Sequence, residues 1–485
     1  MSIENSPYGV IPASGVPQWD DEADVVIIGL GAGGSCAAIE AAAAGTKVVV
    51  LERASGGGGL TESAGGHLYK GGGTRVQKAV GIEDDKEDMY KYLLSVTPEP
   101  EEDKIRAYCD DSVAHFDWLV EQGVPFTDTM IKEKDVLQMT DECLIWSGNE
   151  EVWPYRENAK PAPRGHKVAQ VGEAGGAKLM QMLIGQAKAH GAEIVTDAAA
   201  QKLVQDGQRI VGVQYKKDGT TKTIKATKAV ILAAGHYTGS PEMLEKYTPM
   251  LADDRITKQH ATFSDGAAHL MGEAAGGVLR HMDGALITSP FYPPQTMISG
   301  VLVNKNGKRY VSEDSYHSRS SILSAQQPDG IAYMIVDESI FDRPLYGGYE
   351  VVDVWESFED MEQDLGMPEG SLTTTMRTYN EDAIKGEDSE FHKAPKWMRP
   401  LDKPPFAALN SNVGEGFWVG FALGGLKCDI DGRLQREDDT VIEGLYAVGA
   451  CADNIAQDGT GYSSGTCIGE STYFGRRAGR AAATS

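Results

Sequence analysis

Residues 24–34 read Asp24-Val-Val-Ile-Ile-Gly-Leu-Gly-Ala-Gly-Gly34, and beyond an alanine-rich segment residues 47–52 read Lys47-Val-Val-Val-Leu-Glu52. The pattern predicts a strand running into Gly29-x-Gly31-x-x-Gly34, a helix, and a second strand that ends on an acid. A tight turn, the approach of a diphosphate to backbone N–H groups and close helix-strand contact each exclude a Cβ, which accounts for the glycines. Glu52 is then placed to hold a ribose. A lone glycine pattern would say little in a chain with 57 glycines, but strand, helix and acid follow in the order that dinucleotide binding needs. Gly29, Gly31, Ala32, Gly33 and Gly34 are the expected cradle, for either NAD or FAD.

A chain of 485 residues is long enough for two or three lobes. Its formal net charge of −26 argues against nucleic acid or an anionic bilayer as partner. There is no run of 18 apolar residues, and Met1 to Asp20 has neither a basic n-region nor an apolar h-region. A cytoplasmic enzyme without stable membrane insertion is expected. Cys36, Cys109, Cys143, Cys428, Cys451 and Cys467 lie far apart without CxxC spacing, so free thiols and no metal site are expected.

Residues 1–22 read as a loose polar tail with Pro7, Pro12 and Pro17. The mixed apolar and charged stretch 84–122 predicts amphipathic helices outside a sheet. Asp206-Gly207 and Asp218-Gly219 mark hairpins in a small antiparallel meander that ends in Ala229-Val-Ile-Leu-Ala-Ala-Gly235, a strand buried on both faces. Residues 285–405 change character, with two helical patterns near 355–365 and 371–384 and an exit at Pro395, Pro400, Pro404 and Pro405. The expected organisation is a nucleotide-binding domain in two pieces, 1–282 and 408–485, around an inserted domain, 283–407.

The segment Gly56-Gly-Gly-Gly-Leu-Thr-Glu-Ser-Ala-Gly-Gly66 selects FAD, since its N–H groups and the hydroxyls of Thr61 and Ser63 suit a planar ring system and its ribityl chain. At this point the chain resembles the FAD-dependent fumarate reductase and 3-ketosteroid dehydrogenase superfamily. The resemblance continues through Thr262-Phe-Ser-Asp-Gly266, the segment from Gly300 to Glu313, Leu423-Gly-Gly-Leu426, Gly444-Leu-Tyr-Ala-Val-Gly449 and Phe474-Gly-Arg-Arg-Ala-Gly479. It implies an α/β fold, a Rossmann-like FAD-binding domain of the glutathione-reductase type with an inserted α+β catalytic (cap) domain. It also implies FAD contacts at Arg53, Gly59, Leu60, Gly65, Gly66, Ala234, Gly235, Asp265, Gly449, Thr466 and Ile468. Ala450 departs from the glutamate that many relatives place there for the ribityl chain. Arg53 to Gly66 contains no histidine, so the FAD is expected to be noncovalent. No second GxGxxG is present, and electrons are expected to leave to an external acceptor such as a quinone or an electron-transfer protein.

A dicarboxylate such as fumarate needs several cations in a dry site. The histidine and arginine that the superfamily's fumarate reductases use fall in Phe421-Ala-Leu-Gly-Gly425 and Gly461-Tyr-Ser-Ser-Gly465, and no Lys, Arg or His stands between Glu437 and Gly475. Only Arg319 or His317 could stand in for the general-acid arginine. Tyr316, Tyr462, Ser463 and Ser464, on a background of Trp418, Phe421, Phe291 and Tyr292, suit a large neutral ketone instead. Pairing Tyr316 with the Tyr-x-Ser of the last loop looks most like the 3-ketosteroid 4-dehydrogenases. The alternatives are a 3-ketosteroid 1-dehydrogenase or fumarate-reductase-like reduction of an activated alkene. The implied chemistry is desaturation next to a ketone in steroid metabolism and lipid degradation. Tyr462 and the Gly465 N–H would hold the developing enolate oxygen, while Ser464 would take the α-proton with Tyr316 as relay. A tyrosine relay predicts activity rising toward alkaline pH. Arg164 and His166 in Pro163-Arg-Gly-His166 are expected to be a structural pair.

Overall fold

A computed structural model describes residues 6–134, 139–289, 295–343 and 349–485. The turn at Gly29 sits between β2 (Asp21–Ile28) and α1 (Ala32–Ala43), and β3 (Val48–Leu51) pairs in parallel with β2. These strands lie inside a nine-stranded sheet. Across it run β1 (Gly9–Pro12), Ala198–Asp206, Arg209–Lys217, Thr220–Leu232, β2, β3 and Glu193–Val195. Val25 and Ile27 are buried with the helices on one face, while Val26 and Ile28 are buried in the cluster on the other. Period-two alternation with both faces covered is why these strands read as continuous apolar runs.

Thr220–Leu232 joins two architectures. Its first half pairs antiparallel with Arg209–Lys217, and its end pairs in parallel with Val441–Ala447, Val230 opposite Leu445. β2 runs beside both halves, with a register shift between Ala226 and Ala229. The expected meander is therefore an extension of the main sheet. Asp218 and Gly219 both have positive φ (51° and 75°), as a two-residue hairpin turn matching strand twist requires.

The N-terminal segment is more than a tail. β1 pairs in parallel with Lys202–Gln205, and the Tyr8 hydroxyl donates to Asp265 at 2.6 Å. Four residues at a sheet edge need only one partner strand, so the proline-rich composition around them did not prevent pairing.

The C-terminal helix, Thr466–Thr484, crosses α1 at close range. A Cβ on Gly475 would overlap the Gly33 carbonyl oxygen, and one on Gly479 would overlap that of Ala37. Glu40 of α1 accepts from Arg476 and Arg480 at 2.8 Å, which holds the pair together at the rim. Replacing Gly479 by valine is expected to cost about 1–3 kcal/mol, because backbone must move to make room. A lowered urea midpoint with an unchanged slope is the expected result.

A second core draws on residues from Met297 to Leu409. It packs under a four-stranded antiparallel sheet in the order Val301–Asn304, Ala332–Asp337, Phe406–Asn410, Val351–Trp355, with helices at Phe358–Asp364 and Ser371–Lys385. The fold is thus α/β with a cap domain. All six cysteines are free thiols. Among the described residues no helix is long and apolar enough to cross a membrane.

Candidate active site

The first half of the site is a cradle made of backbone. Gly29, at φ 104°, lies against Ala233 and Ala234, so that a Cβ there would stand 2.9 Å from the Ala234 Cα. Gly33 faces Gly449 across a gap in which a Cβ would lie 3.2 Å from the Gly449 nitrogen. By contrast, side chains at Gly31 and Gly235 would meet nothing within 4 Å. The N–H groups that open α1 therefore border open space, which suits a diphosphate. Glu52 accepts N–H bonds from Leu30 and Ala54, both at 2.8 Å, and a carboxylate so held keeps lone pairs for a ribose. The residues present fit FAD.

Arg53 and Asp265 form an ion pair at 2.6 Å that also takes in Tyr8, and the guanidinium lies 4.5 Å from the centre of the Phe263 ring. Gly59, Leu60, Thr61 and Ser63 form one short 3-10 helix, and Gly66 and Ala64 rest on the start of helix Gly175–Ala189. Gly65 lies beside Glu173 and His67. Ser63 is exposed and donates to the Leu60 carbonyl at 3.0 Å, so its hydroxyl is turned into its own helix. Thr466 and Ile468 occupy the first turn of the C-terminal helix, with Gly465 in the left-handed conformation before it.

Three loops meet at that helix start. The Ser464 N–H donates to the Ser147 carbonyl at 2.7 Å, and the Gly465 carbonyl accepts from Tyr69 at 2.9 Å. A Cβ on Gly465 would stand 2.6 Å from the Tyr69 nitrogen, so the left-handed turn and the contact both require glycine. Tyr316 precedes helix His317–Ala325, and its N–H donates to Asn149 Oδ1 at 2.8 Å. From there its hydroxyl donates to Ser464 Oγ. Residues 148 positions apart thus form one hydrogen-bonded pair. Tyr462 is buried in the same cluster, with Leu286, Leu423 and Ala456, and Phe421 packs edge-on to its ring at 6.4 Å.

Burial pushes the Tyr316 hydroxyl far above its ordinary range, against the smaller opposing effect of Ser464. Tyr462 is raised in the same way by burial, and then by Cys467. The expected rise in activity through tyrosine ionisation therefore moves out of the accessible pH range. Tyr316 works as a neutral phenol or not at all. His317 is also neutral, since burial brings its pKa down to about 3, and its Nδ1 is paired with Thr288 Oγ1. Arg319 lies over the Tyr155 ring and donates to the Tyr155 hydroxyl at 2.5 Å. Of the two residues that kept a dicarboxylate site open, His317 is thus neutral and paired with Thr288, while Arg319 is bonded to Tyr155 through one guanidinium nitrogen.

Arg164 and His166 are structural, but each with its own partner. Arg164 makes a buried bidentate pair with Asp84, at 2.7 and 3.1 Å, and His166 bonds Thr74 at 2.8 Å. Trp418 belongs to a neighbouring cluster, and Phe291 and Tyr292 lie outside the described residues. Sequence reasoning missed the third loop, Ser147-Gly-Asn-Glu150. Besides holding Tyr316 and Ser464, it brings Tyr92 to Ser463 Oγ at 2.8 Å, with Asn149 N–H donating to the same Tyr92 oxygen at 2.8 Å. Its polar, glycine-containing composition looks like any surface turn.

Residues 24–468 match the FAD binding domain family. The chain superposes with a TM-score of 0.90 on a 3-ketosteroid-delta4-(5alpha)-dehydrogenase from Rhodococcus jostii RHA1, solved in complex with 4-androstene-3,17-dione. The two are 36% identical, and the match covers 98% of this chain and all of the other. A 3-oxo-5-alpha-steroid 4-dehydrogenase from Comamonas testosteroni is 26% identical over 89% of this chain and 93% of its own length. An NADH:acrylate oxidoreductase from Vibrio harveyi is 28% identical over 78% of this chain, which spans 37% of that larger protein.

Proposed function

We propose that this chain, which belongs to the FAD binding domain family of flavin oxidoreductases, introduces a C4–C5 double bond into a 3-ketosteroid. The observation that carries this reading is the Tyr316–Ser464 hydrogen bond beside Tyr462 in an apolar cluster. Bound FAD supplies the acceptor for the hydride lost from the β-carbon. The cradle residues named above hold it noncovalently, Gly31 and Gly33 at the diphosphate and Glu52 at a ribose.

The chain's own residues handle the proton and the oxygen. Desaturation next to a ketone makes the α-carbon acidic only as the carbonyl oxygen takes up charge. Tyr462 and the Gly465 N–H donate to that oxygen, each such donor contributing about 3–4 kcal/mol to the transition state. Ser464 Oγ receives the α-proton, and the neutral Tyr316 hydroxyl exchanges protons with it. Leu286, Leu423 and Phe421 exclude water from the ligand's apolar body.

Anaerobic titration with a panel of 3-keto-5α- and 3-keto-5β-steroids tests the reading. Stoichiometric bleaching of the flavin absorbance by at least one of them is expected. A flavin that no member of the panel bleaches, in enzyme whose dithionite-reduced form is reoxidised by fumarate, would replace desaturation with alkene reduction. Resistance to both would point to a flavin-binding protein without turnover.

A further inference from the structure

Tyr316 and Ser464 stand 148 positions apart, one ahead of helix His317–Ala325 and the other ahead of the C-terminal helix, and the bond between their side chains fixes neither backbone. The backbones are held separately. The Ser464 N–H donates to the Ser147 carbonyl at 2.7 Å, and the Tyr316 N–H donates to Asn149 Oδ1 at 2.8 Å. Both residues of the pair therefore hang by their main-chain N–H groups from one three-residue segment, Ser147-Gly-Asn149.

The two anchors differ in what they demand of the sequence. A carbonyl at position 147 is present whatever residue stands there. The acceptor at position 149 is a side chain, so its length and its chemistry are specific. Asn149 is fully buried, and its amide is oriented by its partners: Oδ1 faces the Tyr316 N–H, while Nδ2 reaches the Thr460 carbonyl at 3.5 Å. A flipped amide would set its NH2 against the Tyr316 N–H. The Asn149 N–H donates to Tyr92 Oη at 2.8 Å, and the Tyr92 and Ser463 hydroxyls are bonded at 2.8 Å. A Cβ on Gly148 would overlap Ser463 Oγ, so the segment lies directly against the loop that carries Ser464. Asn149 thus meets both sides of the pair, Tyr316 directly and the loop from Thr460 to Ser464 through Thr460 and Tyr92.

We propose that Asn149 is a positioning residue of this site, the joint that sets Tyr316 against Ser464 and acts on the reaction only through them. The inference rests on the desaturation proposed above. In that reaction Ser464 needs the Tyr316 hydroxyl within hydrogen-bond reach, and the reach is held from the Tyr316 backbone. Removing the Asn149 acceptor strands a buried N–H, which the chain can satisfy only by shifting the start of helix His317–Ala325 and the phenol with it. A shift of about 1 Å in such a pair costs up to about 100-fold in rate.

The test is anaerobic stopped-flow reduction of the FAD-loaded protein by a 3-ketosteroid, with the limiting rate and the steroid dissociation constant read separately. Asn149→Leu keeps the volume and removes the acceptor, whereas Asn149→Asp keeps the acceptor. The leucine variant should retain its flavin absorbance and hold its steroid dissociation constant within about threefold, while the limiting rate falls about 10–100-fold. Asn149→Asp should recover most of that loss. In a Tyr316→Phe background, Asn149→Leu should add less than about threefold, because the hydroxyl it positions is gone. A residue that only supports the fold would slow both backgrounds alike. That outcome, a leucine variant reduced at the wild-type rate, or an aspartate variant as slow as the leucine one overturns the proposal and leaves the desaturation standing. Should Asn149→Leu fail to hold FAD, an ester in place of the amide between Ser315 and Tyr316 removes the same hydrogen bond from its other side. Introduced with the α-hydroxy analogue of tyrosine, it should slow reduction by a similar factor, and an ester form as fast as wild type overturns the proposal. A wild type that no 3-ketosteroid reduces overturns both this proposal and the desaturation.

Discussion

Replacing Ser464 by alanine should slow anaerobic flavin reduction by a 3-ketosteroid about 1,000-fold, within the 10²–10⁴ range of positioned acid-base groups. The flavin absorbance of the purified protein should be unchanged. The reason for that separation lies in what Ser464 touches. Its hydroxyl meets Tyr316, and its N–H, which alanine keeps, holds the loop to Ser147. The dinucleotide cradle at Gly29–Gly34 and Gly449 is built from other segments. Tyr316→Phe should have a comparable effect, and the double variant should be little slower than either single one, because residues that move one proton act as a unit. Stopped-flow absorbance with saturating steroid measures all three. A Ser464→Ala variant reduced at the wild-type rate would remove Ser464 as the base, and additive losses in the double variant would separate it from Tyr316.

The FAD-binding half was legible because its signals are local. Gly29 to Gly34 follow one another in a single strand-turn-helix unit, in which Gly34 packs on the Gly29 carbonyl, and the hairpins at Asp206-Gly207 and Asp218-Gly219 announce themselves through residues that tolerate positive φ. The same locality explains the failures. Whether Gly9–Pro12 forms a strand is decided by Ala198–Asp206, far along the chain, and by the bond from Tyr8 to Asp265. Arg164 and His166 stand two residues apart, yet their partners Asp84 and Thr74 come from elsewhere. Spacing could not pair Tyr316 with Ser464 either; that pairing came from family resemblance, and the geometry now brings the two together. Burial was the least legible property. It moves the buried hydroxyls of Tyr316 and Tyr462 away from ionisation, which no spacing of residues foretells.

Replacing Arg309 by methionine should cost about 3–5 kcal/mol at pH 7, the usual penalty for stranding buried charges. Arg309 is buried and donates to two carboxylates, to Glu313 at 3.1 and 3.0 Å and to Asp388 at 2.8 and 2.9 Å. Burial works against ionisation of Asp388, yet the bonds from Arg309 outweigh it and hold the carboxyl at about 2. Glu313 is likewise held below its ordinary range against burial, by Arg309 and by Lys393 at 3.2 Å. With both carboxyl pKa values depressed in the folded state, their contribution is complete above the ordinary carboxylate range and is lost as pH falls toward 2. In the methionine variant Glu313 keeps Lys393 and Asp388 keeps the backbone N–H groups of Glu390, Phe391 and Lys393, and taking up a proton relieves them. The stability gap between wild type and Arg309→Met should therefore be widest at pH 7 and narrow steadily on acidification, as urea melts at pH 7, 5.5 and 4.5 would show. A triple variant that also carries Glu313→Gln and Asp388→Asn should regain part of the loss at pH 7, since it buries no unpaired charge. A gap that stayed constant with pH would mean that packing against Tyr379 and Phe391, not charge, is what Arg309 supplies. The consequence reaches the active site, because the segment from Arg309 through Glu313 leads directly into Tyr316. A cap that loses this anchor should reduce flavin more slowly even where it remains folded.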